Sequence, residues 1–142
     1  MPLLGQPSGR VRVQLVSEEQ ELFDYDRLKA AGIPVPELLA VDREAERLVK
    51  AYIEGPTVFE LVRDGADVSP HVVQVRQMAN QAKANRLNID YFPTTFVAQH
   101  GLLWYVDYEC NDYMDQWNFE NWGVRYWSRT PEFEAYLKGR SE

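Results

Sequence analysis

Cysteine is nearly missing from this chain of 142 residues: Cys110 is the only one. No disulfide can close within the chain, and a reducing cytoplasm is the expected location. No cysteine–histidine pair adjoins in sequence, so Cys110 is expected to be a small packed residue and not a nucleophile. The only histidines, His71 and His100, fall in a helical first turn and a hairpin turn, where both are expected to be exposed and inert. Long apolar runs are missing too. None approaches the ~20 residues of a membrane span, and residues 1–10 lack the basic start and apolar centre of a signal peptide. Basic charge is short: 15 Lys and Arg stand against 22 Asp and Glu, a net charge of −7. That sign repels nucleic-acid backbones and anionic membranes, so neither is expected as a partner. It leaves a nucleotide open, because bound magnesium reverses the local sign.

The length suits one domain, 1–142, large enough to bury about 68–70% of its unfolded surface. Aromatic residues, at 13%, crowd into the last third. Val11, Val13 and Leu15 alternate and predict a strand over 10–16. Ser17 with Gln20 reads as a helix start, Leu22, Tyr25 and Leu28 as its apolar face, and Gly32 as its end. Apolar runs 38–41 and 48–53 flank a charged turn and read as a hairpin. Gly55-Pro56 breaks the chain, and Thr57 with Glu60 opens a short helix. Ser69-Pro70 starts a longer one, with Val72, Val75, Ala79 and Ala82 on one face, running to about Arg86. Residues 87–93 read as a loop. Runs 95–98 and 102–106 around Gln99-His100-Gly101 predict a second hairpin, with Asp107 at its end. From Tyr113 on, helical pieces are expected, interrupted at Gly123 and restarted at Thr130-Pro131. Periodicity alone gives an α+β fold.

Chemistry concentrates in two acidic segments, Asn88-Ile89-Asp90-Tyr91-Phe92-Pro93-Thr94-Thr95 and Val106-Asp107-Tyr108-Glu109. This pair, separated by a hairpin, resembles the catalytic loop and metal-binding acid of the protein-kinase-like superfamily. It is most similar to the aminoglycoside- and choline-kinase branch and to small atypical bacterial kinases. Ala31-Gly32-Ile33-Pro34-Val35-Pro36 resembles the link after that family's αC helix, Glu21 takes the αC glutamate position, and Val49 to Gly55 resembles the hinge between lobes. The resemblance implies an α+β, kinase-like fold. Residues 10–53 form a reduced N-lobe without a glycine-rich loop, and 54–142 a short helical C-lobe.

It also implies an ATP- and magnesium-dependent phosphotransferase with a hydroxyl acceptor, on a protein or a small molecule. Phosphoryl transfer asks a protein for positioning and charge stabilisation. Asp90 would be the catalytic base and Asp107 the metal ligand, with Glu109 a nearby carboxylate. Ala51 and Ile53 would meet the nucleotide base. The chain departs from the family at Asn88, where histidine is usual, and at Thr95, where a metal-binding asparagine is usual. It departs again at Gln14, or Arg12 in a shifted register, where the strand lysine is usual. Two other readings follow: an inactive, pseudokinase-like module that binds a partner, or a piece of a longer kinase. The segment Trp117 to Trp127 offers rings either to the core or to a protein partner.

Overall fold

The computed structural model describes residues 11–15 and 18–141, with 11–15, 18, 140 and 141 described by their backbone alone. The α+β class is observed. A three-stranded antiparallel sheet is built from β1 (Val11–Leu15), β2 (Leu38–Asp42) and β3 (Arg47–Ala51), with β3 in the centre. Helix α1 (Glu18–Ala30) joins β1 to β2. The proposed cap at Ser17 lies outside the described residues. At the other end of α1, Gly32 adopts φ 81°. The Ile33 and Gly32 amides return to the Leu28 and Lys29 carbonyls, both at 3.0 Å, so the helix closes as a glycine-terminated Schellman turn.

The second part holds α2 (Val58–Arg63), α3 (Ser69–Ala84), the strands β4 (Leu87–Ile89), β5 (Phe96–Gln99), β6 (Leu102–Tyr105) and β7 (Cys110–Asp112), and α4 (Pro131–Ser141). The Thr57–Glu60 capping box is complete: the Thr57 hydroxyl accepts from the Glu60 amide and the Glu60 carboxylate from the Thr57 amide. Helix α3 buries Val75, Met78 and Ala82. It stops at Ala84, two residues short of the expected Arg86, which adopts φ 60°. His71 is half-buried rather than exposed, and His100 is exposed. Hairpin β5–β6 turns at His100 and Gly101, φ 50° and 80°. Two positive φ values in a two-residue turn match the right-handed twist of the strands.

The stretch expected as a loop, 87–93, begins instead with β4, paired antiparallel to β7 so that Ile89 faces Cys110. Three-residue strands carry too little periodicity to be seen in sequence, and each exists only because the other is beside it. In the last third, Phe119 and Trp127 are in the core while Trp117 stays 50% exposed. Gly123 does not interrupt a helix. It opens a 3-10 turn, Gly123–Tyr126, where a Cβ would stand 2.4 Å from the Tyr91 Cβ.

The sheet and the second part are stitched by backbone bonds. The Tyr105 amide donates to the Pro34 carbonyl at 2.8 Å and the Ala98 amide to the Pro56 carbonyl at 3.0 Å. Gly55 lies at this seam with φ 151°, and a Cβ there would sit 2.2 Å from the Ala98 carbonyl oxygen. Gly55→Ala is therefore expected to cost about 1–3 kcal/mol in a urea melt, since strain and overlap must be relieved together.

Candidate functional site

Asp90 follows β4 directly and is held on three sides. Its amide donates to the Tyr105 hydroxyl at 3.2 Å. Its carbonyl accepts from the Thr95 hydroxyl at 2.8 Å. Its own Oδ1 accepts from the Phe92 amide at 3.0 Å. The 3-10 turn Pro93–Thr95 brings Thr95 back over the loop, and its hydroxyl also reaches the Phe92 carbonyl at 2.8 Å. The hydroxyl hydrogen of Thr95 is thus engaged in clasping the Asp90 loop.

Asp107 lies two residues beyond β6, on a segment anchored on both sides. Tyr105 before it donates to the Glu109 carbonyl at 2.8 Å. Tyr108 after it donates a short bond to the Pro36 carbonyl. The acids sense one another. Burial raises the Asp90 pKa, a bond from the Phe92 amide pulls it down, and Asp107 adds a further upward push. Glu109 is raised by burial and then by the charges of Asp107 and Asp90. Three carboxylates from two segments therefore share one electrostatic neighbourhood.

Helix α1 contributes Glu21 to the same neighbourhood. Burial raises its pKa, Lys50 lowers it, and Asp107 and Asp24 raise it. Its Oε1 is buried and meets no hydrogen-bond donor among the described residues. Lys50, on β3, is 2% exposed. Its Nζ stands 4.1 Å from the centre of the Tyr108 ring and donates to the Val106 carbonyl at 3.4 Å. The sequence reading placed Lys50 only in a hinge-like stretch. The signal was there in strand parity: Lys50 shares the inward face of β3 with fully buried Leu48, and alternate residues point the same way. An inward lysine must meet compensating anions. Gln14, the expected lysine position, pairs by backbone with Leu48.

Ala51 and Ile53 line a cavity of about 220 Å³, together with Lys50, Gly55, Thr94 and Val106. The Ala51 amide is taken by the Glu37 carbonyl at 2.8 Å, so it does not offer itself to a ligand. The volume lies below the ~300–1,000 Å³ of typical small-molecule pockets. It suits a base-sized ring with the rest of the ligand outside. A larger cavity, about 570 Å³, opens between the α2–α3 connection and Trp127–Arg129. It holds none of the residues above, and its arginines Arg76 and Arg129 are each paired, with Glu120 and Glu134. The smaller cavity takes Lys50, Ala51 and Ile53 into its lining, whereas Asp90, Asp107, Glu109 and Glu21 are not among its lining residues.

Two neighbouring groups are structural. Asp24 accepts from Arg27 at 2.7 Å and Gln20 at 3.1 Å, and the Cys110 thiol points at it from 3.7 Å. Burial, then Asp24, pushes that thiol up to about 12, so it stays protonated and packs α1 against β7. Asn88 donates to the Trp117 carbonyl at 2.9 Å, tying the Asp90 loop to the aromatic segment.

Among the described residues, no three His, Cys, Asp or Glu side chains are grouped to hold a metal ion unaided, and no helix is long and apolar enough to cross a membrane. Magnesium asks less than such a group: one or two carboxylates, with water and substrate phosphates completing the shell. The hard oxygens of Asp107 and its neighbours, and the orphaned Oε1 of Glu21, fit a site that takes a cation. Comparison with protein-family models and with curated proteins returned no match.

Proposed function

We propose that this chain is a kinase-like phosphotransferase that moves phosphate from ATP, with magnesium, to a hydroxyl acceptor. The observation that carries the reading is Lys50. A buried cation in the cavity lining acts on Glu21, which also senses Asp107, and the Tyr105 hydroxyl ties the Asp90 loop to the Asp107–Glu109 segment. Among the described side chains, one charged lysine against several carboxylates leaves a local excess of negative charge, which suits a magnesium-bound phosphate better than a bare anion.

In this reading the roles divide by chemistry. Ile53 and the cavity wall hold the base, Lys50 meets phosphate oxygens, and Asp107 holds the metal. Bound magnesium would offset charge on the phosphates. Asp90 orients the acceptor hydroxyl and takes its proton. Burial raises its pKa, which brings a carboxylate nearer to what a base at neutral pH requires. The half-exposed rings beside the Asp90 loop, Phe92 with Trp122 and Tyr126, would border the acceptor. A second reading, an inactive module that binds a partner, draws support from Thr95, whose hydroxyl is engaged within the loop.

A thermal melt with ATP, with and without magnesium, separates the two. A ligand at 100 times its Kd stabilises by about 2.7 kcal/mol, which in a chain of this size is a shift of roughly 5–10 °C. The shift is expected only with magnesium and is lost in Asp107→Asn. Flat curves in every condition would favour the binding module.

A further inference from the structure

Tyr105 ends β6, is 0% exposed and carries an oxygen that touches both acidic segments. The hydroxyl accepts from the Asp90 amide at 3.2 Å and donates to the Glu109 carbonyl at 2.8 Å. We propose that Tyr105 is a positioning residue, whose hydroxyl holds the Asp90 loop at a fixed separation from the Asp107–Glu109 segment. The assignment rests on the phosphotransferase reading above.

The need for such a tie follows from charge. Asp90, Asp107 and Glu109 each carry a negative charge when ionised and repel one another in a partly dry setting. The β4–β7 ladder holds the two segments together only as far as Ile89 and Cys110, and the Tyr105 oxygen fixes the next step, Asp90 against Glu109. The tie itself is a single phenol oxygen, which accepts from Asp90 and donates its hydrogen to the Glu109 carbonyl. It is also immobile. The ring packs on Phe96, centroids 5.2 Å apart, and Phe96 packs on Trp127 at the same distance. The backbone of Tyr105 is bonded to Pro34 at 2.8 Å, so the hydroxyl is referenced to the sheet side of the cavity as well. A phenyl ring would fill the same space. The para oxygen is what tyrosine adds, and it is used on both sides.

Tyr105→Phe removes that atom alone. The expected result is a kcat lower by about 10–100-fold, because a displacement on the ångström scale costs that much at a reacting centre. KM for ATP should stay within about twofold, since the cavity wall is untouched. Hydrogen exchange at the Asp90 amide should quicken in the same variant. A folded Tyr105→Phe chain with wild-type kcat, or with unchanged Asp90 exchange, would overturn the assignment. Should Tyr105→Phe fail to fold, two unnatural residues of matched size replace it. 4-Aminophenylalanine keeps a donor and should retain most activity, whereas 4-methylphenylalanine should not; equal rates in the two would be equally fatal. A wild-type chain that transfers no phosphate, while Asp90 exchange still responds to Tyr105→Phe, refutes the phosphotransferase reading and the positioning role with it.

Discussion

Asp90→Asn is expected to lower phosphate transfer by about 10²–10⁴-fold, the usual range for loss of a general base, and to raise the melting temperature at neutral pH. Both outcomes come from one cause. The asparagine oxygen can still accept from the Phe92 amide, so the loop keeps its turn, but the side chain can no longer take a proton or repel Asp107. Above the ordinary value of 3.8 and up to its raised folded value, native Asp90 holds a proton that the unfolded chain has released. Stability therefore falls as pH climbs through that window, and falls fully once the native carboxylate ionises. Removing the charge should return a few degrees at about pH 7 and nothing near pH 3, where both forms are neutral. Equal melting of the two chains at every pH, or retained transfer, would refute the assignment of Asp90.

Lys50→Met is expected to abolish the magnesium-ATP shift and to destabilise the chain. Methionine matches the stem of lysine, so packing against Tyr108 is largely kept. What goes is the cation. Among the described residues, Lys50 is the one influence that lowers the Glu21 pKa. Without it, Glu21 takes up a proton at higher pH or stays ionised with nothing to offset it. Removing one member of a buried charge set typically costs about 3–5 kcal/mol, or roughly 10 °C in a chain of this size. Adding Glu21→Gln to Lys50→Met should recover much of that loss, and a double-mutant cycle gives the coupling directly. If the two substitutions are additive, lysine and glutamate do not act together, and the proposed phosphate grip has no basis.

The capping box at Thr57–Glu60, the glycine stop at Gly32 and the turn at His100–Gly101 were legible because each depends on a few adjacent residues with one stereochemical solution. The order of the two acidic segments was legible for a different reason, a resemblance in wording. What stayed hidden is what distant residues do for each other. β4 and β7 are visible only as a pair. Tyr105 reads in sequence as one more strand aromatic, and its use depends on Asp90 and Glu109 arriving at the same oxygen. Lys50 stands on the third strand, in a stretch that resembles a hinge, whereas the resemblance sets the lysine position on the first strand, at Gln14. Among the aromatic residues of the last third, no local pattern separates buried Trp127 from exposed Trp117. Trp127 is fixed by its indole donating to the Tyr91 carbonyl at 2.8 Å, a bond across 36 positions.

The order β1-β3-β2 has a consequence for synthesis on the ribosome. Both β1 and β2 bond only to β3 among the described strands, and β3 is the last of the three to emerge. Neither earlier strand has a template until Ala51 has left the exit tunnel, so this sheet assembles late and all at once. Until then α1 waits with its apolar side uncovered, the kind of exposure that recruits chaperones. A nascent chain stalled before Arg47 should be protease-sensitive throughout, and one stalled well after Ala51 should show a protected N-terminal fragment.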